Sequence, residues 1–374
     1  MKKFLALLMV LVLSLSLVAC GNTADDSADE KTDDTAEETN TSETYDVVFL
    51  ADLGSIKDGG FNEGSYDGIV EYCEESGATY NYLQPSEDTD AARATIFKQA
   101  VEQWQAKAVV AVGYLWDTTL ADLTPKYPDV KVIFIDADDI GDMDNLCKIN
   151  YAEQDCGYLA GYACVMDGYR NLAFFGGMAV PAVCRFGYGW VAGAEQAAKE
   201  LGLEAGSIKM KYWYSGDFNE TPEKTTTVSS WYETGTEVVF SCGGTIVNSA
   251  ITAAEAGEGR KLVGVDIDES YKSETIITSA MKNLTGTVYE ALNAAFGEDA
   301  EWSKLTKGLN TYGVAEGGAT LPNDFSRFTS FTEADYDAAC EALINGVHDT
   351  IPTDADIESP EEMDLTYVSL EYLG

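Results

Sequence analysis

Carboxylates, aromatic rings and glycines stand at the ends of short apolar runs in this sequence, and their types define the chemistry on offer. The runs DVVFLA, AVVAV and KVIFI lead to Asp52, Gly113-Tyr114 and Asp136, while LAFFGG, IKMKYW, EVVFSC and KLVGV lead to Gly176-Gly177, Trp213, Gly243-Gly244 and Asp266. Carboxylates accept paired hydrogen bonds from hydroxyls or amines, aromatic faces stack on flat groups, and glycines allow close backbone approach. Such a set suits a neutral polyol or base better than a phosphate, which calls for Arg, Lys or a glycine-rich nest. Any one of these carboxylates could instead cap the helix that follows it.

The runs have the length and β-branched content of buried strands. They begin near Asp46, Thr79, Ala108 and Lys131, and again near Leu172, Ile208, Glu237 and Lys261, at intervals of 33, 29 and 23 residues and then 36, 29 and 24. Helical periodicity fills the gaps: Tyr66, Ile69, Val70 and Cys73 fall on one face, as do Ala94, Phe97, Val101 and Trp104. Strands alternating with helices at this spacing predict an α/β protein of two Rossmann-like lobes, each a parallel sheet with helices on both faces. Open parallel sheets bind ligands beyond the carboxyl ends of their strands, so a cleft between the lobes is the expected site.

Composition excludes several functions. With 64 Asp plus Glu against 23 Lys plus Arg, the formal net charge is −41, which repels nucleic acid and anionic lipid. The one histidine, His348, and the absence of any CxxC leave no basis for a zinc site, and neither metal nor cofactor is called for. No nucleophile–base pair presents itself. Asp266 and Asp268 could serve a nucleoside hydrolase, but no acid/base partner can be named beside them, so catalysis is the weakest reading.

Residues 1–20 read as a lipoprotein signal: two lysines, an apolar run from Phe4 to Val18, and a small residue before Cys20, the expected lipidation site. Residues 21–44 hold nine acidic residues and one lysine with no apolar side chain larger than alanine, the composition of a disordered tether. Seven cysteines remain, an odd number best read as small, reduced core residues.

The segments ADLGSIKDGGFNEGSYDG from Ala51, GGMAVPAVCRFGYGWVAG from Gly176, Cys242 to Thr245, Val265 to Asp268 and Thr278 to Lys282 resemble the basic membrane protein, or PnrA-like, family of bacterial lipoproteins, the nucleoside-binding components of ABC transporters. The resemblance covers most of residues 46–345 and implies a type I periplasmic-binding-protein fold. It places Phe61 and Asn62 against a nucleobase with Asp136 at its edge. Phe218 becomes the second stacking face, with Trp213 in reserve. Asp266 is put on the ribose hydroxyls, with Gly244 and Lys282 near the sugar. Three chain crossings are expected near Tyr151, Ile267 and Phe325, giving one lobe from 45–150 and 267–325 and the other from 151–266 and 326–374. Asp58-Gly59-Gly60 departs from the family, which often carries larger side chains there.

The implied protein is a lipid-anchored, monomeric, extracytoplasmic receptor that passes a nucleoside, with a purine favoured, to a membrane permease. No GxxxxGK[ST] occurs, so the ATPase is a separate chain. Other readings remain open: a receptor for a sugar or signalling molecule, or a surface interaction lipoprotein.

Overall fold

The computed structural model describes residues 43–298 and 300–374; the signal, Cys20 and most of the tether lie outside the described residues. The chain opens as a strict alternation, β1 (Val47–Leu50), α1 (Phe61–Ser76), β2 (Tyr80–Leu83), α2 (Asp90–Lys98), β3 (Ala108–Val112), α3 (Asp117–Leu123), β4 (Lys131–Ile135) and β5 (Leu146–Tyr151). β1 and β3 are buried along their whole length. That is why they read as unbroken apolar runs: helices cover both faces of a parallel sheet.

A second alternation follows: α4 (Glu153–Met166), β6 (Asn171–Gly176), α5 (Pro181–Glu200), β7 (Ile208–Tyr214), α6 (Pro222–Glu233), β8 (Val238–Cys242), α7 (Ile246–Glu255), β9 (Lys261–Asp266) and β10 (Ile276–Lys282). Then come α8 (Leu284–Phe296), α9 (Trp302–Leu305), β11 (Asn310–Tyr312), β12 (Ala319–Thr320), α10 (Glu333–Ala342) and β13 (Val368–Tyr372). Two sheets result, ordered β11-β5-β4-β3-β1-β2 and β12-β10-β9-β8-β6-β7-β13. Every pairing is parallel except β12 against β10. The molecule is thus an α/β protein of two parallel-sheet lobes.

The chain passes from the first lobe to the second at Ala152, between β5 and α4, and returns at Asn283, between β10 and α8. The return expected near Ile267 is corrected by β10, which pairs with β9 in the register Ala280↔Val265 and Met281↔Asp266. The third crossing lies between Tyr312 and Ala319, ahead of the expected Phe325. Phe325 packs on the second lobe's core with Phe328 and Phe331. Tyr151 and Thr287 hydrogen-bond through their hydroxyls and so tie the first crossing to the second.

Local chemistry accounts for the helix starts. Thr89, Thr221 and Asn283 accept a backbone N–H in the first turn of α2, α6 and α8, and Thr332 with Asp335 forms a capping box on α10. Helices α4 and α5 lie almost backbone to backbone. A Cβ added at Gly157, Gly189 or Gly193 would fall 2.0 Å from a carbonyl oxygen of the facing helix, and one at Gly161 would fall 2.2 Å from one. This close pair forms the floor of the second lobe and fixes Glu153 and Arg185 for the site.

Candidate functional site

Asp136 follows β4 directly and Asp266 ends β9. Both take left-handed backbone, with φ of 55° and 66°. Outside glycine this conformation is rare and costs about 1 kcal/mol or more. Here it turns the chain sharply at each strand exit, and the two carboxylates converge on one cation from opposite lobes. The Lys282 ammonium, at the end of β10, donates to Asp136 at 2.7 and 2.9 Å. It lies 3.8 Å from Asp266.

Glu153, the first residue of α4, completes the cluster. Its Oε1 is 3.0 Å from Lys282 Nζ but lacks hydrogen-bonding alignment, while its Oε2 accepts from Arg185 Nε at 2.6 Å. Arg185, on α5, also donates to Asn150 at the end of β5 (3.1 Å) and to Asp354 (2.9 Å), linking the lobes a second time. Lys282, Glu153 and Asp266 are all buried.

Burial alone would discharge Lys282, but the surrounding carboxylates of Asp136, Glu153 and Asp266 outweigh it and hold the ammonium protonated. For Glu153, burial is overcome by Arg185 and Lys282, so its carboxyl sits below the ordinary range. Asp266 goes the other way. Burial pushes it up to about 7, only partly offset by Lys282. Burial raises Asp136 as well, against the pull of Lys282, because three carboxylates sharing two buried cations cannot all stay ionised cheaply.

The first lobe adds a polar wall. Asp58 accepts the backbone N–H groups of Gly60 (2.9 Å), Asn62 (3.1 Å) and Glu63 (3.1 Å), a cap that sets the start of α1 in place of the glycine at the N-cap. The Asn62 amide, buried there, donates to Asp52 and Asp58, each at 2.9 Å, and its Oδ1 has no partner. Asp52, also bonded by Gly54 N–H at 2.6 Å, is pushed up to about 6 by burial against those two donors. Phe61 presents its ring face to Lys282 at 5.0 Å, and the rings of Tyr151 and Phe186 lie 5.3 and 5.5 Å from the same ammonium.

On the second lobe, Phe218 lies over glycines at the exits of β6 and β8. Cβ atoms at Gly177, Gly243 and Gly244 would stand 2.2, 2.7 and 2.8 Å from its side chain. Gly243 and Gly244 both have positive φ, so they carry the tight exit turn as well as the close approach. Tyr114 and Asp136 face the first turn of α5 and Arg185 around a cavity of about 30 Å³.

Trp213 is not brought to this cluster. It pairs with Phe175 in the sheet and stacks on it at 5.4 Å and 8°, edge-on to Trp231, so its indole belongs to the layer under α6 and α7. Its place at a strand end is one residue out of phase with the cleft face, a distinction the apolar run did not reveal. Three residues of the cluster were not anticipated: Glu153, Arg185 and Asp58 sit at helix starts and on a helix, where no strand-end rule looks. His348 lies elsewhere, hydrogen-bonded to Asp155 at 2.7 Å. No group of three His, Cys, Asp or Glu among the described residues is placed to hold a metal ion.

Residues 45–343 match the family model described as ABC transporter substrate-binding protein PnrA-like. Among curated relatives, the ABC transporter nucleoside-binding protein BmpA of Lactococcus lactis subsp. cremoris is 25% identical over 300 residues, 74% of this chain and 81% of its own. An uncharacterized lipoprotein of Pyrococcus furiosus is 27% identical over 286 residues, 74% of this chain and 69% of its own. Among solved structures, an ABC-transporter solute-binding protein from Aeropyrum pernix K1 superposes with a TM-score of 0.65 at 22% identity, covering 84% of this chain and 89% of that one. One from Conexibacter woesei gives 0.63 at 18%, covering 81% and 96%.

Proposed function

The chain belongs to the PnrA-like family of ABC transporter substrate-binding proteins, and on that premise we propose that its solute is a nucleoside, a purine nucleoside by preference, held in the cleft between the lobes. The family is one of extracytoplasmic binding proteins of the type I periplasmic fold, not of enzymes, and its members work with a membrane permease and an ATPase. The observation that carries the nucleoside reading is the cross-lobe cluster. Asp136 and Asp266, on strained exits from opposite sheets, meet around Lys282 under the ring of Phe61.

Carboxylates are the groups that grip paired hydroxyls, so Asp266 accepts from the ribose while Lys282 donates beside it. Phe61 and Phe218 offer aromatic faces from the two lobes, Asn62 an acceptor and Asp136 an acidic edge for the base. Asp52, Tyr114 and Gly244 line the approach. Stacking is worth roughly 1–3 kcal/mol per face, and a micromolar solute needs about 8 kcal/mol net. Two faces supply roughly 2–6 kcal/mol of this, and the paired ribose hydroxyls are assigned the remainder. The relative named as nucleoside-binding supports the same reading.

Lipidation of Cys20 would tether this receptor to the outer face of the cell membrane beside its permease. Native mass spectrometry of protein purified without denaturation tests the solute. The expected result is a co-purified mass released as a purine nucleoside; a hexose or another solute in its place would displace the proposal.

A further inference from the structure

The loop between β9 and β10 reaches across the mouth of the cleft onto the start of α1. Ile267 packs on the first lobe's core, and five residues further on the Lys272 ammonium donates to the carbonyl oxygen of Gly59 at 2.8 Å. The same ammonium pairs with Glu269 at 2.5 Å. Glu269 is 1% exposed and built into the second lobe: its Oε2 accepts from Val265 N–H at 3.0 Å, and its own N–H donates to Ser279 Oγ at 3.0 Å. On the other side, the N–H of Gly59 is held by Glu63 at 2.9 Å. The bond across the mouth therefore joins two fixed points.

Gly59 is suited to that contact in two ways. Its φ of +64° aims the carbonyl in a conformation that disfavours side chains, and a Cβ there would lie 2.8 Å from Lys272 Cε and Nζ and from Tyr271 Oη. Tyr271 itself is 68% exposed, with Lys272 5.9 Å from its ring. The larger side chains expected between Asp58 and Phe61 are thus absent where a tyrosine and a lysine arrive from the opposite lobe.

We infer that Tyr271 and Lys272 form a clasp across the cleft mouth, with Lys272 the positioning residue that holds the lobes shut and sets how long a solute is retained. The inference rests on the solute-binding reading but not on which solute is bound. Opening breaks the Lys272–Gly59 bond and leaves the Lys272–Glu269 pair intact within one lobe, so the clasp contributes to the closed state alone and acts on release. Loss of one charge-assisted hydrogen bond, partly replaced by water, corresponds to about a tenfold change in that equilibrium.

Stopped-flow measurement with adenosine and energy transfer between dyes on exposed positions of the two lobes test it together. Lys272→Ala is expected to release adenosine about tenfold faster, to raise the open fraction of solute-free protein, and to speed association only in proportion to that rise. Gly59→Ala is expected to act in the same direction from the other lobe, and Lys272→Arg to retain most of the effect. Should Lys272→Ala fail to fold because Glu269 is left buried without a cation, Glu269→Gln with Lys272→Met removes charge and donor together and is expected to show the same fast release. Unchanged release and unchanged lobe separation in these variants would overturn the clasp. If adenosine does not bind even the unaltered protein, the nucleoside reading falls, and the solute-free lobe separation still decides for or against the clasp.

Discussion

Asp266 is buried 3.8 Å from a lysine ammonium, yet its carboxyl is pushed up to about 7, because burial outweighs the one partly aligned cation. A carboxyl with a raised folded pKa binds a proton that the unfolded chain releases near pH 4. Its penalty is absent below that pH, grows as pH rises, and is complete above pH 7. Glu269, also near 7, and Asp52, near 6, act in the same direction. Asp266→Asn is therefore expected to match the parent's stability near pH 4 and to exceed it at pH 8 by on the order of 4 kcal/mol, read by urea unfolding at both values. Ligand affinity should move oppositely with pH. If the ionised carboxylate accepts the solute's hydroxyls, affinity for a purine nucleoside rises roughly tenfold from pH 6 to pH 8, as ionisation near 7 requires; a flat profile would remove Asp266 from the contact. Asp52, Asp136 and Asp266 were legible because they close apolar strands. Glu153 and Arg185 were not, since a helical residue announces its partner only when the crossing between lobes is known.

The paired helices α4 and α5 show what the sequence contained without declaring. Gly157 and Gly161, and again Gly189 and Gly193, recur four residues apart, the spacing that puts them on one helix face. Nothing in one sequence says which stripe meets which. The structure sets each glycine against a carbonyl of the facing helix, so Gly161→Ala or Gly193→Ala should cost at least about 3 kcal/mol, seen as a fall in the urea midpoint. The strands that begin each βαβ unit were legible from their apolar runs, whereas β10 was not. Its sequence, Ile-Ile-Thr-Ser-Ala-Met-Lys, mixes small polar residues into a buried strand because Ser279 is spent on the Glu269 N–H. Missing β10 moved the expected return between lobes to Ile267.

At the scale of the whole molecule, two sheets share three crossings, and Asp136, Glu153 and Asp266 gather around Lys282 where the lobes meet. The cysteines serve that architecture as packed core side chains, not as cross-links. All seven among the described residues are free thiols, six of them buried, and burial pushes Cys73 and Cys147 up to about 12. Of these seven, a thiol reagent at pH 8 should find at most Cys340 quickly in the folded protein and all of them after denaturation; rapid reaction of several would contradict the packing. The central claim is that the cleft closes on a nucleoside through Asp266, and calorimetry of unfolded, dialysed and refolded protein tests it most directly. The account predicts one site for a purine nucleoside with Kd below about 100 µM and a negative heat-capacity change, weakened at least about a hundredfold in Asp266→Ala. Absence of nucleoside binding in that range, or an Asp266→Ala variant that binds as tightly as the parent, would contradict it.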